Sequence, residues 1–181
     1  MPAKGDKKQI KLNGQKVEAE YIGKGQFSTC YRIGNKVYSF TKNDPSKELI
    51  NLFCDDNIHL PALHLFESYN DYTQVYDMPF YDKLTKDSEP AWSQYKTLKS
   101  LWEGIPTLWK APQDWHKEKV QKFQDLVNAS GLPESLKDAI NQLCSNSYNY
   151  DRILFEFSLR NLATDEQDNL ILLDVIFKAP K

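Results

Sequence analysis

The first forty residues alternate apolar and polar positions in short runs. Ile10 and Leu12 lead into Asn13-Gly14, then Val17 to Tyr21 lead into a glycine-bearing turn, and Cys30 to Ile33 and Val37 to Phe40 flank Gly34-Asn35. Period-two runs joined by such dipeptides predict successive antiparallel hairpins. Asp44-Pro45 has the form of a helix N-cap followed by proline in the first turn, and Leu49, Ile50 and Phe53 give that short helix an apolar face. Strand character returns at Pro61 to Glu67 and Tyr72 to Tyr76, around a turn at Tyr69-Asn70-Asp71. The expectation is an antiparallel sheet of roughly five or six strands interrupted by one helix.

From Glu89 the period becomes helical. Trp92, Tyr95, Leu98 and Trp102 form one stripe, Val120, Phe123 and Val127 a second, and Leu136, Ala139, Ile140, Leu143 and Cys144 a third. Asp114 with Glu118 suits the start of the second helix, Ser130-Gly131 its end, and Pro133 the opening of the third. Ile153 to Phe157, Leu162, and Leu170 to Leu173 return to strand character around a polar turn at Thr164 to Asn169. Strands followed by helices imply an α+β fold. The crease between the two halves is expected near Asp77 to Lys83, giving a β-rich lobe over 1–80 and a helical lobe ending in a hairpin over 81–181 within one domain.

Composition narrows the class. With 40% apolar and 13% aromatic residues, the 181-residue chain is expected to fold as one globular domain rather than remain disordered. A net charge of −2 supplies no global attraction to nucleic acid or to an anionic membrane, so neither is expected as a partner. Cys30, Cys54 and Cys144 lack the spacing of a zinc site or disulfide framework and are expected as reduced thiols in or near the core. No apolar run reaches the roughly 20 residues of a membrane span, and the N-terminal residues lack a hydrophobic signal core. A cytoplasmic location is the resulting expectation.

Two segments carry candidate chemistry. In Gly23-Lys24-Gly25-Gln26-Phe27-Ser28 a glycine pair lets the backbone approach phosphates closely, and exposed N–H groups with Lys24 favour anions. Strand rather than helix follows, which excludes a dinucleotide fingerprint, and an ordinary hairpin turn would use the same glycines. The second segment is Glu156-Phe157-Ser158-Leu159-Arg160-Asn161, followed by Leu170-Ile171-Leu172-Leu173-Asp174.

This second segment resembles the protein kinase superfamily, whose catalytic loop reads Asp-x-x-x-x-Asn and is followed, after a short hairpin, by a metal-binding Asp. The interval from Glu156 to Asn161 is five positions and that from Asn161 to Asp174 is thirteen, both as in the family. The likeness runs backwards over most of the chain. GKGQFSTCYR looks like the glycine-rich loop, NKVYSF the third strand, PSKELINLF the small-lobe helix, and TQVYDMPFYDKL the fifth strand and hinge. Among kinases the chain is most similar to compact serine/threonine kinases encoded by some bacteriophages.

The resemblance implies a two-lobed minimal kinase-like fold binding ATP and Mg2+. Glu156, Asn161 and Asp174 would be its catalytic residues, Asn161 and Asp174 also its metal ligands. Gly23, Lys24, Gly25 and Ser28 would cover the phosphates, facing the metal ligands across one cleft. Backbone groups at Tyr76, Asp77 and Met78 would meet the adenine edge, with Met78 against the ring. A host protein, as substrate or partner in the host cytoplasm, follows from the bacteriophage likeness. The alternative is that Asn161 and Asp174 are a turn asparagine and a surface aspartate, and Tyr76 to Met78 a plain linker.

The chain departs from the family in three ways. Counting across Gly34-Asn35 sets Cys30 opposite Ser39, so Val37, Ser39 and Thr41 face inward and Ser39 takes the place of the phosphate-binding lysine. Lys42, with Glu48 as partner, could supply the cation only if a bulge turned it inward. Glu156 replaces the catalytic aspartate, and a carboxylate displaced by about 1 Å can cost on the order of 100-fold in rate. Finally, Asp174-Val175-Ile176 replaces the glycine-bearing metal motif and seven residues follow Asp174, so the helical lobe is expected to be truncated, without an activation segment. Three functions remain open: a minimal phosphotransferase, a pseudokinase that modulates a partner, and an α+β adaptor whose motif spacing is coincidental.

Overall fold

The computed structural model describes residues 3–42, 44–70, 73–106, 115–148 and 153–178. Local turn chemistry sets its first half. β1 (Lys7–Leu12) and β2 (Gln15–Lys24) meet at Asn13-Gly14, whose φ values of 47° and 78° are those of a type I′ hairpin. β3 (Ser28–Ile33) and β4 (Lys36–Thr41) meet at Gly34-Asn35, where Gly34 alone takes positive φ, 61°. After the helix α1 (Pro45–Phe53), β5 (His64–Asn70) and β6 (Thr73–Pro79) complete an antiparallel sheet of order β1-β2-β3-β4-β6-β5. The strand expected from Pro61 starts at His64, and Asp71 and Tyr72 of the expected turn and strand lie outside the described residues.

The sheet buries both faces in part. Ile10, Leu12, Ala19 and Val75 form a core cluster, covered by half-buried Tyr31, Tyr38, Phe40 and Phe66. Tyr31 and Phe40 meet edge to face at 5.7 Å, as do Tyr38 and Phe66 at 5.2 Å. Such pairs add about 0.5–1.5 kcal/mol beyond burial. The opposite face of β4 presents Val37, Ser39 and Thr41, all buried.

Helix α1 begins as the sequence predicts. Asp44 Oδ1 accepts the backbone N–H of Ser46 (3.1 Å) and of Lys47 (3.3 Å), and Pro45 occupies the first turn. Its inner face differs from expectation. Leu49 and Ile50 are buried, but Phe53 is 47% exposed. Pro45, Ser46 and Lys47 are buried instead. Phe53 is the last residue of the helix and lies beyond Asn51, where the chain passes into the second unit, and its carbonyl accepts Asn146 Nδ2 at 3.0 Å.

The chain forms two compact units, one of Met1–Asn51 with Ala62–Phe80, the other of Leu52–Pro61 with Tyr81–Lys181. The second opens with β7 (Asp82–Lys83) and continues with α2 (Ala91–Glu103), α3 (Trp115–Asn128) and α4 (Glu134–Ser147). Asp114, expected at the start of α3, lies outside the described residues. The architecture is α+β, with the antiparallel sheet N-terminal and three of the four described α-helices after it. No helix among the described residues is long and apolar enough to cross a membrane.

The excursion Leu52–Pro61 joins the second unit through His59. This buried imidazole bonds through Nδ1 to the Leu170 carbonyl (2.8 Å) and through Nε2 to Ser135 Oγ (3.1 Å), while the His59 carbonyl accepts the Leu172 amide (2.9 Å). Burial holds the His59 pKa below its ordinary 6.5, against the smaller opposing effects of the Leu170 carbonyl and the Asp165 charge. Cys54 and Cys144 are likewise pushed up by burial, Cys54 to about 11, and all three cysteines are free thiols.

The unfolded chain therefore binds the His59 proton at a higher pH than the folded one. The stabilisation is full above about pH 6.5 and is lost as pH falls towards the depressed folded value. Melting temperature, followed by circular dichroism, is expected to fall as pH drops from about 7.5 to about 5.5, and His59→Gln is expected to flatten that slope.

Candidate functional site

The C-terminal candidates are assembled from short strands on an aromatic base. β8 (Ile153–Phe155) places Phe155 against Trp102 (5.4 Å between ring centroids) and Phe123 (5.2 Å), and Phe157 against Phe123 (5.6 Å). Phe155 and Phe157 are buried, so Glu156 between them points the other way and is half-buried. A 3-10 turn at Leu159–Asn161 then bends the chain into β9 (Leu162–Thr164), with Asn161 N–H bonded to the Ser158 carbonyl at 2.9 Å.

The hairpin to β10 (Leu170–Leu172) is tied by Asp165 Oδ1, which accepts the amides of Gln167 (3.0 Å) and Asn169 (2.8 Å). It returns the chain to Asn161, whose carbonyl accepts the amides of Leu173 (3.0 Å) and Asp174 (3.2 Å). Asn161 Nδ2 donates to the Glu156 carbonyl (3.3 Å), and Glu156 N–H donates to the Val175 carbonyl (2.8 Å). Glu156, Asn161 and Asp174 are thus laced together through the Asn161 carbonyl and its side-chain amide. β11 (Ile176–Lys178) pairs with β8, Ile176 opposite Phe155, and β7 pairs with β9. Neither β7 nor β11 has a readable sequence period at two or three residues.

The side chains offer an amide oxygen from buried Asn161 and a carboxylate from half-buried Asp174. Among the described residues no group of three His, Cys, Asp or Glu forms a metal cage. A protein donor set of two oxygens suits Mg2+, which commonly binds one or two protein groups and completes its shell with water and phosphate. Glu156 Oε1 accepts a hydrogen bond from Arg160 Nη2 at 2.8 Å, in a pair whose arginine is 76% exposed. Arg160 carries no expectation from the motif, although its spacing of four from Glu156 is a signal for the pair.

The glycine-bearing candidates lie in the first unit. A register shift between Tyr21 and Gly23 precedes the turn, which Gly25 N–H closes on the Ser28 carbonyl at 2.8 Å. Lys24, the last residue of β2, is exposed and Ser28 half-buried. Neither Gly23 nor Gly25 takes positive φ, and a Cβ at either would meet nothing closer than 3.7 Å. The folded chain itself does not require glycine at these two positions.

The register of β4 agrees with the count from the sequence. Cys30 pairs with Ser39, Ser39 with Tyr76, and Ser39 is 0% exposed with its hydroxyl bonded to Cys30 Sγ at 3.5 Å. β4 pairs without interruption through Thr41, so the bulge that would turn Lys42 inward is absent there. Lys42 is exposed, its N–H bonded to the Phe27 carbonyl at 2.8 Å. Within α1, Lys47 Nζ meets Asp44 Oδ2 at 2.6 Å, with side chains 4% and 1% exposed.

The adenine-edge expectation concerns the backbone of Tyr76, Asp77 and Met78. Tyr76 and Asp77 pair with β4 on one side and β5 on the other, so their backbone groups serve the sheet, and only Met78 is paired on one side, with Val37. The Asp77 carboxylate bonds to Lys36 Nζ at 2.6 Å, and this bond chiefly raises the lysine pKa.

The Asp44–Lys47 and Glu156–Arg160 pairs should differ sharply in worth. Asp44→Ala removes a helix cap and a buried partner of Lys47 and is expected to cost about 3 kcal/mol or more in urea unfolding. Glu156→Gln, which weakens an exposed pair, is expected to change stability by less than about 1 kcal/mol. No protein-family model matches the chain, and no curated protein matches its sequence.

Proposed function

We propose that this chain binds ATP with Mg2+ and acts as a minimal serine/threonine protein kinase-like phosphotransferase on a host protein. The observation that carries the reading is the double acceptance by the Asn161 carbonyl, which sets Asp174 beside the Glu156-to-Asn161 turn. Bound ATP would supply the phosphoryl group, and Mg2+ would offset its developing charge. Asn161 Oδ1 and the Asp174 carboxylate would hold the metal. The bare backbone of Gly23 and Gly25, where the fold leaves room for a Cβ, would let phosphate oxygens approach the N–H groups. Glu156 would orient a serine or threonine hydroxyl and take its proton as the oxygen bonds to the γ-phosphorus and ADP departs.

A second reading, a nucleotide-binding module that modulates a partner without transfer, draws on one specific observation. The Glu156 carboxylate is engaged by Arg160, which competes with any proton it would accept.

Ligands that bind only the folded state raise its melting temperature with occupancy. ATP and Mg2+ together are expected to raise it more than either alone, Asp174→Ala to remove the shift, and Asn161→Ala to reduce it. Gly25→Ala should leave the free protein as stable as before, or up to about 1 kcal/mol more so, while weakening the shift. The absence of any shift with both ligands would overturn the proposal. With binding in place, transfer from γ-labelled ATP that Glu156→Gln abolishes supports the phosphotransferase. Binding without transfer by the unmodified chain assigns the module.

A further inference from the structure

We infer that Lys47, on the first turn of α1, is the cation that holds the nucleotide phosphates, in place of a lysine on β4. This inference rests on the nucleotide-binding reading above and names one of its residues. The β4 position facing inward is Ser39, which is neutral, fully buried and already bonded to Cys30. Lys42, next along the chain, is exposed beyond the last paired residue, and Lys24 is exposed at the end of β2. Among the described lysines and arginines, only Lys47 and Lys119 are buried. Lys119 belongs to α3, where its Nζ lies 4.2 Å from the centre of the Trp102 ring.

The local physics of α1 disfavours a lysine at position 47. An ammonium taken out of water loses several kcal/mol of solvation, and the positive end of a helix dipole repels a cation. A leucine or methionine would fill the same space at no such cost. The chain instead keeps the cation and holds it with Asp44, whose Oδ1 caps the helix while Oδ2 sits 2.6 Å from Lys47 Nζ. An acid and a base are thus fixed in one orientation within a single helical turn.

A second observation lies beside it. Ser46 is fully buried and its Oγ has no hydrogen-bond partner among the described residues. A buried hydroxyl left unmet is uncommon in native proteins, and a phosphate oxygen would meet it. Lys47 Nζ as a point charge and Ser46 Oγ as a neighbouring donor together suit a phosphate group.

Two measurements test the assignment. Lys47→Met keeps the side-chain length, and after its fold is verified by circular dichroism it is expected to bind ATP·Mg2+ roughly tenfold to a hundredfold more weakly than the unmodified chain in calorimetry. The second needs no variant. An acyl-phosphate derivative of ATP, which acylates lysines beside bound phosphates, is incubated with the unmodified protein and the labelled peptide is identified by mass spectrometry. Label on Lys47 that excess ATP·Mg2+ suppresses supports the inference. Suppressible label on Lys42 or Lys24 without Lys47, or unchanged affinity in folded Lys47→Met, overturns it while the nucleotide reading stands. Absence of ATP·Mg2+ binding by the unmodified protein overturns that underlying reading as well.

Discussion

A single backbone oxygen, that of Asn161, accepts the amides of both Leu173 and Asp174, and the order of the C-terminal residues depends on this junction. The strands around it are three residues each, too short to be stable as isolated hairpins. What holds them is burial. Phe155 and Phe157 anchor β8 in the aromatic core, and Leu162, Leu170, Ile171 and Leu172 are buried along the β9–β10 hairpin. The hydrogen bonds, each worth about 1 kcal/mol net, then select one geometry from those the core would tolerate.

The first unit solves a different problem. Its sheet register is uninterrupted from β3 through β4 to β6, which fixes which residues face inward and leaves no freedom to recruit Lys42. Irregularities fall outside that run, in β2 just ahead of the glycine turn and in β5 between Leu65 and Glu67 and between Ser68 and Asn70, where a bulge bends a strand without disturbing the β3–β4–β6 register. Charge is concentrated at the start of α1, where Asp44 and Lys47 form a buried pair that packing alone would not favour.

Much of this fold was legible because its signals are local. Asn13-Gly14 and Gly34-Asn35 need positive φ within the dipeptide itself, and Asp44-Pro45 caps its own helix. The pairing of Cys30 with Ser39 followed from loop length alone. The intervals among Glu156, Asn161 and Asp174 marked the segment whose backbone bonds converge. What escaped depends on distant partners. Phe53 has the period of an inward residue but reaches the end of the helix, and Leu52–Pro61 belongs to the second unit, where Asp55 N–H bonds to Gln142, Asn57 to Ser135 and His59 to Leu170. The burial of Lys47 was invisible because a lysine between Ser46 and Glu48 reads as solvated until its carboxylate partner is seen. That β5 pairs with Asp77 from the side opposite β4 is also a long-range feature that the sequence does not show.

The proposed chemistry comes down to whether Asn161 and Asp174 hold a nucleotide-bound divalent metal. Substituting Mn2+ for Mg2+ makes that metal paramagnetic, so that in a 15N-labelled sample it broadens the amide signals nearest to it. With Mn2+ and ATP together, the proposal predicts broadening centred on Asn161, Asp174 and Glu156 that neither Mn2+ alone nor ATP alone produces. Broadening that is independent of ATP, or centred on residues away from the Glu156-to-Asp174 turn, would contradict it.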